Sequence, residues 1–228
     1  KYPCVPYVQG FEVDASGWLD FNNEAWYGLV TKVPSGTNDI SSSVGDFHAI
    51  FEGGPSPIDT DESGPFTRFD GYSDTWTGTW SVVVDIFLDP SLDSSKGFDY
   101  SVAASCSNGA HRRDYIFHVN KDDSSGELLV AGSNNTNFAP KENLETLNHY
   151  QVTTAGWYTF QHVFSEVGGQ LSVDLNLLDS DGINLFTETR TSVDDTMNLI
   201  GGNRYGWFTF INVEGGILVD NVILNRCN

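Results

Sequence analysis

Short strand-like runs, each bounded by turn residues, fill almost the whole of this 228-residue chain. Helical periodicity is nearly absent, and the one modest helix candidate lies around residues 140–147. The predicted strands are residues 8–13, 26–33, 46–52, 66–70, 79–88, 98–105, 112–119, 127–131, 157–165, 170–178, 184–190, 205–213 and 216–224. With no helices between them they must pair antiparallel, and no linker, repeat or composition shift divides the chain. The sequence therefore predicts one all-β domain over residues 1–228, an antiparallel two-sheet β-sandwich (jelly roll).

The charge balance narrows the classes of partner. Thirty-one acidic and 11 basic side chains give a formal charge of −20 at pH 7. Such a chain repels phosphate backbones and anionic membrane surfaces, so nucleic-acid binding is disfavoured. No apolar run is long enough to span a bilayer, which argues against membrane insertion. The acidity is typical of a solvated surface, and it also suits cation binding where carboxylates cluster.

Two of the three cysteines lie near the chain ends. A bridge between Cys4 and Cys227 would close nearly the whole chain and contribute about 4–5 kcal/mol by loop-closure entropy. Such a bridge indicates an oxidising compartment, and we interpret Lys1 as a mature N-terminus after removal of a signal peptide. We therefore predict a secreted, extracellular protein in which Cys106 is a leftover thiol.

Three short pieces of the sequence resemble one known superfamily. They are Gly-Phe-Glu ending at Glu12, Gly-Asp-Phe-His-Ala starting at Gly45, and Val-Asp-Asn-Val around Asp220. They resemble the calcium-binding β-jelly-roll superfamily of carbohydrate-binding modules and concanavalin A-like lectin, glucanase and lyase domains. The resemblance implies a structural calcium ion bridging Glu12, Asp220 and an oxygen of Asp46.

The strand register supports this arrangement independently. In an antiparallel pair the numbers of opposed residues have a constant sum. That sum is 232 for Glu12 with Asp220 and 231 for Cys4 with Cys227. One pairing of the first and last strands is therefore predicted to bring both pairs close together.

The middle strands carry a polar face opposite their apolar one. Alternation turns the following side chains away from the core: Asp85, Asp99, Arg112, Asp114, His118, Gln161, Tyr205 and Trp207. Planar carboxylate, amide and guanidinium groups bind vicinal hydroxyls, and Trp and Tyr stack on sugar rings. We predict that this set, with Arg113, binds a polysaccharide in a groove on one sheet. The alternative is a solvated outer face with surface ion pairs.

Three further functions are considered. A polysaccharide lyase cleaving a uronate-containing glycan by β-elimination would use His118, Tyr205, Arg112 and Gln161 as catalytic residues, with Arg112 and Arg113 forming a positive spot beside Arg204. A glycoside hydrolase fits less well, because Asp85 and Asp89 lie about 13 Å apart along a strand. The third possibility is a structural or adhesive surface protein without a small ligand.

Overall fold

The computed structural model describes residues 5–20, 22, 28–54, 64–76, 78–135 and 143–226. The strands are β1 (Tyr7–Gln9), β2 (Trp18–Leu19), β3 (Leu29–Pro34), β4 (Phe47–Glu52), β5 (Phe66–Thr67), β6 (Tyr72–Ser73), β7 (Trp80–Leu88), β8 (Gly97–Cys106), β9 (His111–Lys121), β10 (Leu128–Asn135), β11 (His149–Val152), β12 (Gly156–Val167), β13 (Gln170–Leu178), β14 (Asn184–Thr196), β15 (Ile200–Thr209) and β16 (Ile217–Asn225). Three 3₁₀ turns accompany them, at Thr37–Asp39, Leu144–Thr146 and Met197–Leu199. Within these ranges there is no α-helix, and no helix long and apolar enough to cross a membrane.

The strands form two antiparallel sheets of eight strands each. Sheet I has the order β14-β13-β12-β7-β16-β4-β3, with β1 also paired to β16. Sheet II has the order β11-β10-β9-β8-β15-β5-β2, with β6 also paired to β15. The predicted all-β, antiparallel two-sheet β-sandwich is thus confirmed. Of the helix candidate at 140–147, the described part contains only the single 3₁₀ turn Leu144–Thr146.

Side chains of alternate residues fill the space between the sheets. The apolar faces predicted for β7, β8, β9 and β12 are buried as expected, and His162 lies among them with no exposed surface. Trp80 on sheet I stacks on Phe164 with ring centroids 3.7 Å apart, and Tyr100 stacks on Phe208 of sheet II at 4.5 Å. Offset and stacked aromatic pairs add about 0.5–1.5 kcal/mol each beyond their buried area. The core is therefore strongly aromatic.

The first and last strands lie side by side. β1 pairs with β16 through Tyr7 opposite Leu224 and Gln9 opposite Val222, so the residue numbers sum to 231 as the sequence predicts. The predicted first strand nevertheless ends early, because Phe11 has a φ of 59° and leaves the extended conformation. Its ring turns into the core with no exposed surface. The predicted partners Cys4 and Cys227 lie outside the described residues.

Candidate functional site

The outer face of sheet II carries most of the predicted binding residues. Residues that lie opposite one another on β9, β8 and β15 form rows across the sheet. One row is His118, Asp99 and Thr209, and another is Asp114, Ala103 and Tyr205. Trp207 lies between these rows, opposite Ser101. We call this surface the outer face of sheet II. Asp99, Asp114 and His118 are buried on it, whereas Tyr205 and Trp207 are half-buried.

Two predicted members of the groove lie on the other sheet, so the expectation of one shared face is wrong for them. Asp85 is in β7 and Gln161 is in β12, and these strands pair with each other in sheet I. Gln161 Oε1 accepts a hydrogen bond from Asn176 Nδ2 at 2.9 Å. Face assignment by alternation gives the direction of a side chain relative to the core, but it does not say which of two sheets a strand joins.

The predicted positive spot is also corrected by the structure. A β-bulge places Ala104 opposite Arg113 and Ser105 opposite His111, so that Arg112 is the extra residue. Arg112 Nε donates to Asp195 Oδ1 at 2.9 Å, and Arg113 Nε donates to Asp195 Oδ2. Asp195 belongs to β14 of sheet I and is fully buried, so the two arginines tie the sheets together at this end.

The third arginine of the spot faces the core. Arg204 is 3% exposed, and its guanidinium lies 3.0 Å from the ring centroid of Trp76 and 4.4 Å from that of Trp80. Burial lowers its pKa to about 9. Cation–π contact with two indoles compensates part of this desolvation. None of the three arginines is therefore available on the outer face of sheet II in the way that the sequence suggested.

A chain of hydrogen bonds crosses three neighbouring strands of that face. His118 Nδ1 lies 2.8 Å from Asp99 Oδ1, and His118 Nε2 lies 2.7 Å from Ser133 Oγ. Burial raises the pKa of Asp99, although His118 opposes the shift. Asp99 Oδ2 is buried without a hydrogen-bond partner. An unpaired buried carboxylate oxygen is costly, so it marks a place where a donor from a ligand would be well received.

A second histidine–carboxylate pair lies at the other end of the face. His111 Nε2 is 2.8 Å from Asp114 Oδ2, and burial raises the pKa of Asp114. Asp114 is fully buried, and its Oδ1 also lacks a partner. His111 is exposed, with its ring 6.0 Å from that of Tyr205. The sequence analysis did not assign His111 to this site. Regular strand alternation would place His111 and Asp114, three positions apart, on opposite faces, and the β-bulge at Arg112 changes that alternation.

Aromatic rings border this end of the face. The Phe66 ring lies 5.2 Å from Tyr205 and 6.2 Å from Trp207 between centroids. Trp207 Nε1 donates to the carbonyl oxygen of Gly64 at 3.1 Å. These contacts hold two half-buried rings beside Asp114 and His111, which is an arrangement suited to contact with a flat, partly apolar ligand.

The residues of the predicted calcium site gather around the segment 43–47. Glu12 Oε1 accepts hydrogen bonds from the backbone N–H groups of Asp46 at 3.1 Å and Phe47 at 3.2 Å. Asp220 Oδ2 accepts one from Val44 N–H at 3.0 Å, and burial raises the pKa of Asp220 to about 6. Two of the three predicted ligands therefore accept hydrogen bonds from the same loop. Across the described residues, no group of three or more His, Cys, Asp or Glu side chains converges as a metal cluster.

Comparison with known proteins gives likenesses among solved structures only. No protein-family model matches the chain, and no curated protein matches it. The CBM2 module of the evolved Dit of Lactobacillus casei BL23 phage J-1 is 14% identical with a TM-score of 0.46, covering 97% of this chain and 96% of that one. A cellulose-induced protein is likewise 14% identical with a TM-score of 0.46, covering 96% of each chain. The family 7 alginate lyase A1-II′ is 10% identical with a TM-score of 0.32, covering 96% of this chain and 94% of that one.

Proposed function

We propose that this protein binds a polysaccharide on the outer face of sheet II. The observation that carries the proposal is the pair of buried carboxylates, Asp99 and Asp114, on one face. Each is hydrogen-bonded to a histidine, and each keeps one oxygen that has no hydrogen-bond partner among the described residues. The half-buried rings of Tyr205 and Trp207 lie on the same face.

The chemistry of this face matches that of a sugar chain. Sugar hydroxyl groups donate hydrogen bonds, and carboxylate oxygens only accept them when ionised. The C–H faces of a pyranose pack against aromatic rings, as Tyr205 and Trp207 offer here. The row of Asp114 crosses β8 at Ala103, which is four residues after Asp99. Four residues of an extended strand span about 13 Å. A ligand that spans both rows is therefore a chain of several sugar units.

We also propose a structural calcium ion at the loop 43–47 and an extracellular location. Calcium takes carboxylate and carbonyl oxygens, and Glu12 and Asp220 lie on either side of this loop. Asp220 is buried beside Asp85, and among the described residues neither forms an ion pair with Lys or Arg. A cation would offset this buried negative charge. The ion would join the last strand to the loop before β4, away from the proposed glycan face.

Two tryptophan variants, one on each sheet, test the proposal. In isothermal titration with a panel of polysaccharides, Trp207→Ala should weaken binding at least tenfold, because it removes a stacking surface. Trp157→Ala is the matched control, since Trp157 is a half-buried tryptophan on the outer face of sheet I, with its Nε1 donating to Ser41 O at 2.8 Å. Equal losses in both variants, or a loss in Trp157→Ala alone, would place binding elsewhere. Silence of the wild-type protein across the panel would favour the structural or adhesive alternative.

A lyase is the second candidate, and one observation favours it. His111 is exposed, held by buried Asp114, and next to Tyr205. In β-elimination a base removes the proton at C5 of a uronate, and an acid protonates the leaving glycosidic oxygen; His111 and Tyr205 have the side chains for these roles. The originally predicted set does not assemble. His118 is 1% exposed, Arg112 is paired with Asp195, and Gln161 lies on sheet I.

Ultraviolet absorbance distinguishes a lyase from a binder. A lyase releases unsaturated sugars that absorb, and His111→Ala should abolish their release while Trp157→Ala leaves it intact. A binding protein gives no new absorbance with any uronate polysaccharide, although Trp207→Ala still weakens its binding.

A further inference from the structure

A cavity of about 560 Å³ opens at the end of the outer face of sheet II, beyond Asp99. Its walls come from β8, β9, the segment before β8, the segments that follow β9 and β15, and Asn143 just before the 3₁₀ turn Leu144–Thr146. Asp99 lines the cavity, and its row, which ends at Thr209, lies next to the row of Trp207 on β15. Volumes of 300–1,000 Å³ are typical of small-molecule sites. The cavity is thus continuous with the proposed glycan face and large enough for a sugar unit.

Three lining residues hold backbone conformations that are unusual for their type. Ser95, Asn143 and Phe210 have φ values of 61°, 56° and 53°. Left-handed φ disfavours residues other than glycine, and most of all a bulky one such as Phe210. Strained residues persist where the surrounding structure fixes them, and they concentrate at ligand sites. Three residues of the cavity wall therefore hold conformations that cost backbone energy.

The polar lining consists of carboxylates, amides and hydroxyl groups. The carboxylates are those of Asp99, Asp122 and Asp123, the amides those of Asn120, Asn143 and Asn212, and the hydroxyls those of Ser95 and Ser124. The side chain of Asp99 is 8% exposed, and its Oδ2 is buried without a partner. This oxygen is a second observation that points to a ligand, because a donor entering the cavity would satisfy it.

No Lys, Arg or His is among the described residues that line the cavity. Two lysines are chain neighbours of lining residues. Lys96 lies between Ser95 and Gly97, and Lys121 follows Asn120, with its ammonium donating to the carbonyl oxygen of Pro90. Asp123 is held at the rim by Ser95 Oγ, which is 2.6 Å from its carboxylate oxygens. Among the described residues, the side chains that line the cavity therefore present negative charge and hydrogen-bonding groups without a cation of their own.

We propose that this cavity is the subsite for one neutral sugar residue of the bound glycan, and that it excludes uronic acids. The inference rests on the proposed function and specifies its ligand class. Neutral hydroxyl groups donate to Asp99, Asp122 and the amide oxygens, whereas a uronate carboxylate would face three carboxylates without a counter-charge. Specificity here comes from repulsion of the wrong ligand as much as from attraction of the right one.

The test compares glucose oligosaccharides with glucuronate oligosaccharides of the same linkage and length, by isothermal titration. The wild-type protein should bind the neutral series at least tenfold more tightly. Asp99→Asn should weaken neutral binding about tenfold, because its amide presents a donor where a hydroxyl donates. The double variant Asp122→Asn with Asp123→Asn, which leaves the buried Asp99–His118 pair intact, should raise glucuronate affinity at least threefold. Asp174→Asn, on the outer face of sheet I, is the control and should change neither affinity.

The outcomes separate this inference from the proposal on which it rests. If the wild type binds a glycan but takes glucuronate as tightly as glucose, or if the double variant leaves glucuronate affinity unchanged, the inference fails and glycan binding stands. If calcium alone titrates into the cavity and Asp123→Asn abolishes that signal, the cavity is a cation site and the inference is wrong. If no glycan binds the wild type at all, the proposed function and this inference fail together.

Discussion

Asp220 on β16 lies directly opposite Asp85 on β7, and both carboxylates are buried. Ser43 Oγ and Thr159 Oγ1 each donate to Asp85 at 2.6 Å, and Val44 N–H donates to Asp220. Hydrogen bonds from neutral donors satisfy these oxygens but do not neutralise two like charges. The loop 43–47 is therefore held by hydrogen bonds to two acidic side chains of sheet I. The proposed calcium ion would compensate their negative charge.

Removal of calcium should lower the melting temperature. An ion present at about a hundred times its Kd contributes roughly 2.7 kcal/mol, which corresponds to about 5–10 °C for a protein of this size. Scanning calorimetry with and without EDTA measures the difference. Glu12→Gln and Asp220→Asn should each remove the response to calcium, whereas Asp174→Asn should keep it. An identical melting curve in EDTA and in calcium, after prolonged chelation, counts against the ion.

Asp195→Asn should destabilise the fold by about 3 kcal/mol. The buried Asp195 carboxylate is the common partner of Arg112 and Arg113, and it also accepts a hydrogen bond from Tyr115 Oη at 3.2 Å. Its neutralisation leaves two guanidinium groups without their counter-charge between the sheets. Urea unfolding measures the loss, with the exposed neighbour Asp194 changed to Asn as the control. A loss in Asp195→Asn no larger than in Asp194→Asn would mean that the arginines do not tie the sheets.

His162 should make the fold sensitive to acid. Burial lowers its pKa from 6.5 to about 3, so the folded state holds the neutral ring while the unfolded chain protonates near pH 6.5. Its stabilising contribution is therefore complete above pH 6.5 and is lost as the pH falls toward 3, at about 1.4 kcal/mol per unit. The stability lost between pH 7 and pH 5 should be about 2 kcal/mol smaller in His162→Gln than in the wild type.

The matched control for this pH effect is His149→Gln, because the His149 ring is half-buried, unlike that of His162, and its Nδ1 lies 2.9 Å from the carbonyl oxygen of Leu147. Urea unfolding at both pH values should give the wild-type difference for this variant. If His162→Gln and the wild type lose the same stability on acidification, His162 does not titrate on unfolding.

The bridge between Cys4 and Cys227 remains a prediction from the sequence. Peptide mapping of the alkylated, unreduced protein should find these two residues linked and Cys106 modified. Reduction should lower stability by about 4–5 kcal/mol if the closed loop acts through chain entropy. Three alkylated cysteines in the native, air-exposed protein would rule the bridge out.

Much of the fold follows from local pattern. Alternation in long strands such as β7 and β12 is set by burial on one side, so their faces and approximate bounds are readable. The short strands β2 and β6 and the edge strand β11 were missed, because two to four residues carry no measurable period. The predicted extension of the fifteenth strand to residue 213 was wrong, since Phe210 turns into the left-handed region after Thr209.

The candidate site was less predictable for a reason of topology. Asp99, Asp114, His118, Tyr205 and Trp207 share a face as predicted, because β15, β8 and β9 are neighbours in sheet II. Asp85 and Gln161 also point away from the core, but they belong to sheet I. The residue pattern within a strand does not indicate which of two sheets the strand joins. The pairing of Arg112 and Arg113 with Asp195 depends on a bulge and on a residue about 80 positions away.

The adjacency of β1 and β16 has a consequence for rearranging this chain. Because Tyr7 and Leu224 are neighbours across a ladder, a flexible connection from the segment after β16 to the segment before β1 would close the backbone into a ring without disturbing either sheet. The ring would be reopened best at the exposed turn between β13 and β14, where Gly182 N–H bonds Asp179 O at 3.0 Å. Such a circular permutant would start with β14, the strand that carries Asp195. Its new ends would be far in sequence from the loop 43–47 and could be used to attach the protein to a surface.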